Sequence, residues 1–380
     1  MRTKLVTRVA GAGLGVLSLL GASACAVSTP EAVEDPTTGC MISAPAGFDD
    51  YSAGALTLAE TELARSAGLF SATSSQRVSN SSATSAALDR TVGEKCSLTT
   101  VIGPGGASEL ADVARENPDS LYLGMASGRE DFPDNVLTID FDLVPPAFIA
   151  GYIAATASES GEVSALVSRG FPQAEKILTA FDAGVDLYNQ ESGDDVEDVT
   201  SFRKSRIAGR TVDDTEAAGR DFFDAAQRSD ADVVVPFGSA AAMGVLGAAA
   251  EVRASAATAT PDPEGEPPVL PKLIWYGASG DFSEAVIATI EPNIRRGLRT
   301  MFPDWPQSKN PDEVVEPGPD DPVEMNGILV AEEAYEGTID NGGVNISAED
   351  GFLSRVSDAG RSIADLRGRI KSGEIDPTKG

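Results

Sequence analysis

The sequence predicts an α/β protein built from parallel β-sheets with helices on both faces. Short apolar runs alternate with amphipathic stretches along most of the chain, and this alternation is typical of such sheets. Hydrophobic residues make up 42% of the 380 residues and charged residues only 23%, so the chain can bury large cores and is not disordered. The length accommodates two domains, because one domain per about 100 to 200 residues is usual.

The apolar runs predict strands at Cys40–Ser43, Cys96–Ile102, Leu121–Met125, Val136–Phe141, Glu162–Val167, Asp232–Pro236 and Lys272–Tyr276. The stretches between them predict helices at Ser52–Ser66, Ser108–Glu116, Phe148–Ser158, Ala174–Leu187 and Thr215–Arg228. Strands that alternate with helices favour parallel sheets. The serine-rich stretch 71–85 is interpreted as a loop, with an irregular strand as the alternative. Two stretches rich in proline and acidic residues, 254–271 and 303–322, are interpreted as surface insertions.

The first residues have the features of an export signal. A basic start at 2–8 precedes the apolar run 9–20, which is shorter than the roughly 20 residues that span a membrane. Ala22-Ser23-Ala24-Cys25 resembles a bacterial lipobox, in which the cysteine thiol is acylated and becomes the new N-terminus. We therefore predict a signal peptide over 1–24, lipidation at Cys25 and a flexible tether over 25–38. Plain secretion with cleavage after Ala24 is the alternative.

The formal net charge of -30 argues against nucleic acid as a partner, because phosphate binding needs clustered Lys and Arg. It also argues against adhesion to anionic lipid, so the anchor would be the membrane contact. A solvated surface of an exported protein is the favoured explanation of this charge, and a cationic ligand is the alternative.

Histidine is absent, which excludes imidazole-dependent triads and His-ligated zinc. With Cys25 assigned to the lipid, Cys40 and Cys96 remain as a pair in an oxidising compartment, where a disulfide is favoured and two buried free thiols are the alternative. There is no C-x-x-C motif, so neither a redox site nor a cysteine-rich zinc site is indicated. The sequence predicts no metal and no cofactor.

Ligands of open parallel sheets bind beyond the carboxyl ends of the strands. The glycine loops at Gly103 and Gly238 follow such strands, although tight turns alone would also explain them. Four aromatic residues near strand or helix ends could stack on a planar ligand, with core packing as the alternative: Phe48, Phe148, Phe171 and Phe237. Carboxylates at comparable ends could accept ligand hydrogen bonds or simply cap helices: Asp49, Asp50, Asp140, Asp142 and Asp281.

Several segments resemble the basic membrane protein family, which comprises lipoprotein substrate-binding subunits of ABC transporters similar to bacterial purine-nucleoside receptors. The resemblance spans nearly the whole mature chain. It is carried by Phe148-Ile149-Ala150-Gly151-Tyr152, Ala180-Phe181-Asp182-Ala183-Gly184-Val185, Ala231-Asp232-Val233-Val234-Val235, Met243-Gly244-Val245 and Asn341-Gly342-Gly343-Val344.

The resemblance implies two Rossmann-like lobes of a type I periplasmic binding protein, which close on a ligand in the cleft between them. It places chain crossings near 142–146, 285–290 and 328–333. We therefore expect an N-terminal lobe of 39–142 plus about 286–330, and a C-terminal lobe of 143–285 plus about 331–380.

The resemblance also implies roles for particular residues. Phe48 with Asp49 matches the family's aromatic and polar pair after the first strand, and Phe237-Gly238 falls at the second lobe's cleft loop. Three polar contacts of the nucleoside receptors are replaced. Pro45 stands at the position of the acidic residue that recognises the purine in those receptors. Gly277 stands at the position of the Asp that binds ribose, with Asp281 as a displaced substitute. Ala288 stands at the position of a lysine in a helix. Such replacements should change the ligand or weaken its binding.

The leading hypothesis is a lipid-anchored receptor on the extracytoplasmic face of a bacterial cell membrane. It would be a monomer without enzymatic activity that delivers a small polar, nucleoside-like molecule to an ABC permease. A surface sensor or scaffold that kept the fold but lost nucleoside binding is the second hypothesis. An extracytoplasmic hydrolase is the third, and it would need two carboxylates about 5 to 10 Å apart across a cleft.

Overall fold

Two β-sheets built almost entirely from parallel strands organise the chain. The computed structural model describes residues 37–43, 46–128, 131–200, 209–259, 267–307, 322–348 and 363–379. The predicted signal peptide, Cys25, most of the tether, Pro45 and much of both predicted insertions lie outside the described residues. Among the helices that are described, none combines the length and the apolar character needed to cross a membrane.

The first sheet has parallel strands in the order β14-β5-β4-β3-β1-β2 once they are numbered along the chain. They are β1 (Thr38–Ser43), β2 (Ala72–Arg77), β3 (Leu98–Ile102), β4 (Tyr122–Met125), β5 (Val136–Phe141) and β14 (Ala334–Gly337). A short 3-10 turn at Pro104–Gly106 and four helices belong to this lobe: α1 (Ala53–Ala67), α2 (Ser81–Gly93), α3 (Ala107–Glu116) and α8 (Ile294–Met301). We call this sheet with its helices the first lobe.

The serine-rich stretch 71–85 is not a loop, because it contains β2 and the start of α2. β2 is the edge strand and pairs on one side only, with β1; most of its side chains are polar, and none is buried. Helix α2 begins after Asn80, whose side-chain oxygen accepts from the Ala83 N–H at 3.0 Å. β2 lacks the apolar alternation of a buried strand, whereas α2 buries Ala87 and Leu88 in the core.

The second sheet follows the order β15-β11-β10-β9-β6-β7, with β8 also paired to β6 and β15 antiparallel to β11. Its strands are β6 (Glu162–Ser168), β7 (Glu197–Asp198), β8 (Thr211–Val212), β9 (Val233–Phe237), β10 (Lys272–Tyr276), β11 (Val286–Pro292) and β15 (Val344–Ala348). The helices of this second lobe are α4 (Val144–Ala157), α5 (Ala174–Ser192), α6 (Glu216–Gln227), α7 (Ala240–Thr258) and α9 (Ile363–Lys371). A small hairpin joins β12 (Val323–Met325) to β13 (Ile328–Val330).

Buried side chains of the second sheet alternate between its two faces, as the pleat of a strand requires. Val233 and Val235 of β9 pack in the core that contains α4 and α5, whereas Val234 packs in the core that contains α6 and α7. In the first lobe, one face carries α2 and α3 and the other packs toward α1 and α8. The predicted α/β fold with sheets covered on both faces is therefore confirmed.

Three crossings between the sheets lie within the described residues. The chain leaves β5 for α4 at Asp142, leaves β11 for α8 at Asn293, and leaves β14 for β15 through 338–343. Backbone bonds link these crossings: the Asp142 N–H donates to the Gly337 carbonyl and the Asn293 N–H to the Gly343 carbonyl, each at 2.8 Å.

The sheets divide the C-terminal part of the chain differently from the lobe limits that the resemblance implied. β11 lies in the second sheet and β14 in the first, whereas 286–330 was expected in the first lobe and 331–380 in the second. The second crossing comes after β11 because this strand pairs with β10 on one side and with β15 on the other as far as Pro292.

Cys40 in β1 and Cys96 just before β3 form a disulfide, with their Cα atoms 5.9 Å apart. Glu94 lies beside them, and the three side chains are close enough to resemble a metal-ligand group. Because both sulfurs are bonded to each other, neither offers a thiolate to a metal ion.

Two helix pairs of the second lobe cross in backbone contact at glycines. A Cβ atom on Gly184 of α5 would lie 2.0 Å from the carbonyl oxygen of Phe148, and one on Gly151 of α4 would lie 2.1 Å from that of Phe181. Helices α6 and α7 repeat the arrangement, with Gly219 facing the carbonyl oxygen of Ala241. Any side chain at these glycines would separate the helices.

Gly184→Ala should therefore lower the free energy of unfolding by about 1–3 kcal/mol or more, because its methyl group would displace backbone rather than a side chain. Gly368→Ala in α9 is the matched control, since nothing lies within 4 Å of a Cβ there. That substitution should stabilise the protein by about 0.5–1 kcal/mol. Urea unfolding measures both, and equal effects of the two substitutions would contradict the close crossing.

Candidate functional site

A cavity of about 320 Å³ lies between the two lobes, where the carboxyl ends of both sheets face each other. The first lobe contributes Ser43 at the end of β1, Ile102 at the end of β3 and the residues 103–105 that follow it. The second lobe contributes Ser168 at the end of β6, Gly238 and Ser239 after β9, and Tyr276 at the end of β10. The cavity thus lies where the general rule for parallel sheets puts a ligand.

A carboxylate occupies the N-terminus of the first-lobe helix that faces the cavity. Asp50 Oδ1 accepts from the N–H groups of Ser52 and Ala55, each at 2.9 Å, and Oδ2 accepts from that of Gly54 at 3.2 Å. Burial raises the pKa of Asp50, and these backbone donors oppose that rise. Asp50 therefore lines the cavity but directs much of its hydrogen-bonding capacity to α1.

The second lobe contains an equivalent arrangement. Asp214 Oδ1 accepts from the N–H of Ala241 at 2.9 Å and that of Ser239 at 3.2 Å, at the start of α7. The Ser168 hydroxyl donates to the same oxygen at 3.0 Å. Gly238 makes this contact possible, because a Cβ there would lie 2.0 Å from the Ser168 Oγ. With Asn80 at the start of α2, three helix N-termini at the cavity are capped by the chain's own side chains.

Aromatic rings form one wall of the cavity. Phe171 and Tyr276 line it and meet edge to face, with ring centroids 5.6 Å apart. Phe237 is fully buried behind them, 6.4 Å from Phe171 and 6.1 Å from Tyr276 between ring centroids. A planar ligand could pack against the exposed face of this wall.

The Ser239 hydroxyl on the cavity wall is a buried polar group without a hydrogen-bond partner among the described residues. A buried hydroxyl without a partner is costly, so it marks a position where a ligand polar group would be favourable.

A second compartment of about 480 Å³ adjoins the cavity and shares Ala126, Phe171 and Tyr276 with it. Its first-lobe wall includes Asp140 of β5 and Glu336 of β14, and its second-lobe wall includes Lys176 of α5. Burial raises the pKa of Asp140, the N–H groups of Gly128 and Ser127 oppose the rise, and the charge of Glu336 adds to it.

The predicted site residues separate into two groups. Asp50, Gly103, Phe171 and Gly238 line the cavity, and Phe237 packs directly behind its aromatic wall. The other four do not line it: Asp49 and Asp281 are exposed, Phe48 packs partly buried against the core, and Phe148 is 2% exposed inside α4. Phe148 is buried because the contact between Gly184 and its carbonyl oxygen places α5 directly against this turn of α4.

Sequence reasoning missed several residues of the cavity. Ser43, Ser168 and Tyr276 each end a strand, so the strand-end rule applied to every strand would have included them. Asp214 belongs to a segment between β8 and α6 and reaches α7 through a contact across 25 residues or more. Short-range patterns contain no signal for that contact.

A family model described as Bmp, ABC transporter substrate-binding protein PnrA-like, matches residues 62–259. The chain belongs to this family. The resemblance inferred from the sequence is therefore confirmed, and the family is one of extracytoplasmic solute-binding proteins rather than enzymes. No curated protein matches the chain in sequence.

Three solved structures of solute-binding proteins are similar to the chain, and the first of them shares its fold. One from Aeropyrum pernix K1, an ABC transporter solute-binding protein, has a TM-score of 0.61 at 16% identity and covers 90% of this chain and 93% of its own. One from Conexibacter woesei DSM 14684 has a TM-score of 0.48 at 14% identity, and the match covers 90% of this chain and 98% of the other. A Clostridium phytofermentans protein with bound beta-D-glucose has a TM-score of 0.47 at 12% identity, and the match covers 86% of this chain and 99% of the other.

The two lobes of this Bmp family member are joined next to the cavity by four residues that we call the latch: Tyr51 of the first lobe and Trp275, Ala278 and Phe282 of the second. The carbonyl oxygen of Tyr51 accepts from Trp275 Nε1 and from the Ala278 N–H, each at 2.8 Å. The Tyr51 ring stacks on Phe282, with centroids 4.6 Å apart and planes 7° apart. Beside it, the Ser52 hydroxyl donates to the carbonyl of Tyr276 at 3.2 Å.

Gly277 is required by the latch. A Cβ atom at this position would lie 2.2 Å from the Tyr51 carbonyl oxygen, and the residue has a φ of 150°. The position that the resemblance assigned to a ribose-binding Asp is therefore occupied by backbone of the opposite lobe. Ala288, which was matched to a helical lysine, lies in β11 and is 2% exposed, so it faces the core.

Gly277→Ala should open the cleft, because its methyl group would clash with the Tyr51 carbonyl and break both latch hydrogen bonds. Gly280→Ala is the matched control: its φ of 137° imposes a similar backbone strain, but nothing lies within 4 Å of its Cβ. Small-angle X-ray scattering should show a larger radius of gyration for Gly277→Ala than for Gly280→Ala. Indistinguishable scattering from the two variants would rule out a latch at this position.

Proposed function

We propose that this protein is the solute-binding subunit of an ABC transporter, anchored by lipid at Cys25 to the extracytoplasmic face of the membrane. It would bind a small polar, nucleoside-like molecule between its lobes and deliver it, as a monomer, to a permease. The observation that carries the proposal is the cavity at the facing strand ends, with an aromatic wall and an unpartnered Ser239 hydroxyl. Its volume of about 320 Å³ falls within the usual range for small-molecule sites, roughly 300 to 1,000 Å³.

The second candidate function is a surface sensor or scaffold that no longer binds nucleosides. It is favoured by Gly277 and Ala288, which cannot supply the polar contacts expected at those positions because one meets backbone and the other faces the core. The aromatic wall and the unpartnered hydroxyl favour a retained ligand over this alternative.

Thermal unfolding of the purified protein with nucleosides, sugars and amines tests ligand binding. A ligand at a hundred times its dissociation constant adds about 2.7 kcal/mol to the free energy of unfolding. Phe171→Leu should weaken binding of that ligand by about two- to tenfold, since it removes a ring face from the wall. Phe132→Leu, at a half-buried ring in the outer core of the first lobe, should leave binding unchanged. If no compound raises the unfolding temperature, the sensor or scaffold function is favoured instead.

The lipid anchor is tested separately in cells. Cys25→Ser should abolish incorporation of a labelled fatty acid and release the protein into the medium, because the thiol is the acylated group. Ser28→Ala, three residues further along the chain, should retain the label and the membrane association. Fatty-acid labelling that persists in Cys25→Ser would place the lipid elsewhere or contradict the anchor.

A further inference from the structure

The second compartment of the cleft has no assigned ligand group, although it opens onto the proposed ligand cavity at Ala126, Phe171 and Tyr276. The inference drawn from it rests on the proposed solute-binding function and concerns the chemical class of the solute.

Two carboxylates lie side by side on the first-lobe wall of this compartment. Asp140 of β5 and Glu336 of β14 are register partners in parallel strands, so their side chains share one face of the sheet. Thr138 and Ala334, the register partners two residues earlier, line the same compartment, which confirms the orientation of this face. Like charges directly opposite each other repel, and a cation between them would relieve that repulsion.

Tyr276 provides a second, independent indication of a ligand. The residue is only 3% exposed and lines both compartments. Among the residues that the structure describes, none forms a hydrogen bond with its hydroxyl. Burial raises its pKa, and the charges of Asp140 and Asp50 add to that rise, so the phenol stays protonated. The Tyr276 hydroxyl and the carboxylates of Asp140 and Glu336 line one compartment and can all accept hydrogen bonds, so a ligand donor placed among them would satisfy them together.

The charges of the two compartments disfavour an anionic ligand. Asp50, Asn80 and Asp214 already occupy the helix N-termini where a phosphate or carboxylate could otherwise bind. Arg169 is paired with Asp213 at 2.7 Å. The second compartment is lined by two carboxylates, Asp140 and Glu336, and by one cation, Lys176. The lining of this compartment therefore has a net negative charge.

We propose that the second compartment binds a protonated amino group, so that the solute of this protein is an amine whose remaining part occupies the cavity beside Phe171. Asp140 and Glu336 accept hydrogen bonds from the ammonium group, and the Tyr276 hydroxyl accepts another. Hydrogen bonds to charged groups are stronger than neutral ones, so the amine should bind about ten- to a hundredfold more tightly than a neutral analogue of the same shape.

Isothermal titration calorimetry at neutral pH with matched pairs of probes tests this inference. The pairs are tyramine and tyrosol, putrescine and butanediol, and puromycin aminonucleoside and dimethyladenosine. The amine should bind at least about tenfold more tightly than its neutral partner in one or more pairs. Asp140→Asn combined with Glu336→Gln should abolish that preference, bringing the affinity of the amine to about that of its neutral partner in the same variant.

Asp119→Asn is the control, because this exposed carboxylate lies before β4, at the opposite end of the strands from the cleft, and should leave the preference intact. If neutral probes bind and the amines have no advantage, the inference is overturned and solute binding stands. An amine preference that survives the double substitution would also overturn it, because the amine would then bind elsewhere. If neither these probes nor the wider ligand screen bind, the proposed solute-binding function fails and the inference fails with it.

Discussion

The contact between the Tyr51 carbonyl and the second lobe determines the shape of the site. That one oxygen accepts from Trp275 Nε1 and the Ala278 N–H, and the adjoining ring stacks on Phe282. Because both hydrogen bonds end on a single backbone atom, the carboxyl ends of the two sheets are held face to face and enclose the cavity. The geometry depends on Gly277, since any larger residue would push the carbonyl away.

The same cavity shows why a helix N-terminus is not by itself an anion site. Helices α1, α2 and α7 point their first turns toward the ligand space, but Asp50, Asn80 and Asp214 already satisfy N–H groups of those turns. In α1 and α7 the helix dipole then stabilises the protein's own carboxylate rather than a ligand charge. This moves the electrostatic preference of the cleft away from anions, and the carboxylates of Asp140 and Glu336 move it further in the same direction.

The sequence predicts seven strands of the two sheets and five of the described helices, together with the edge of the sheets where the ligand space lies, but it misses α7 and α8. Its failures have physical causes. β2 is a polar edge strand, so it lacks the alternation from which a buried strand is recognised. Phe148 follows a proline pair near a predicted strand end, but a helix crossing at Gly184 buries it. Asp214 acts on a residue 25 positions further along the chain, and Tyr51 on one 224 positions further along. Local sequence patterns contain no signal for contacts over such separations.

Loss of a receptor's polar contacts does not require loss of its ligand. Gly277 is not a vacant ligand contact, because the Tyr51 carbonyl fills the space where a longer side chain would lie. The cavity nevertheless retains the Ser239 hydroxyl, which is buried without a partner, and the phenol of Tyr276 on its wall, and polar groups in such places are destabilising unless something binds them. A cleft that had lost its ligand would gain stability by replacing these polar groups with apolar ones. Their presence together with the latch therefore favours a changed ligand over an abandoned site.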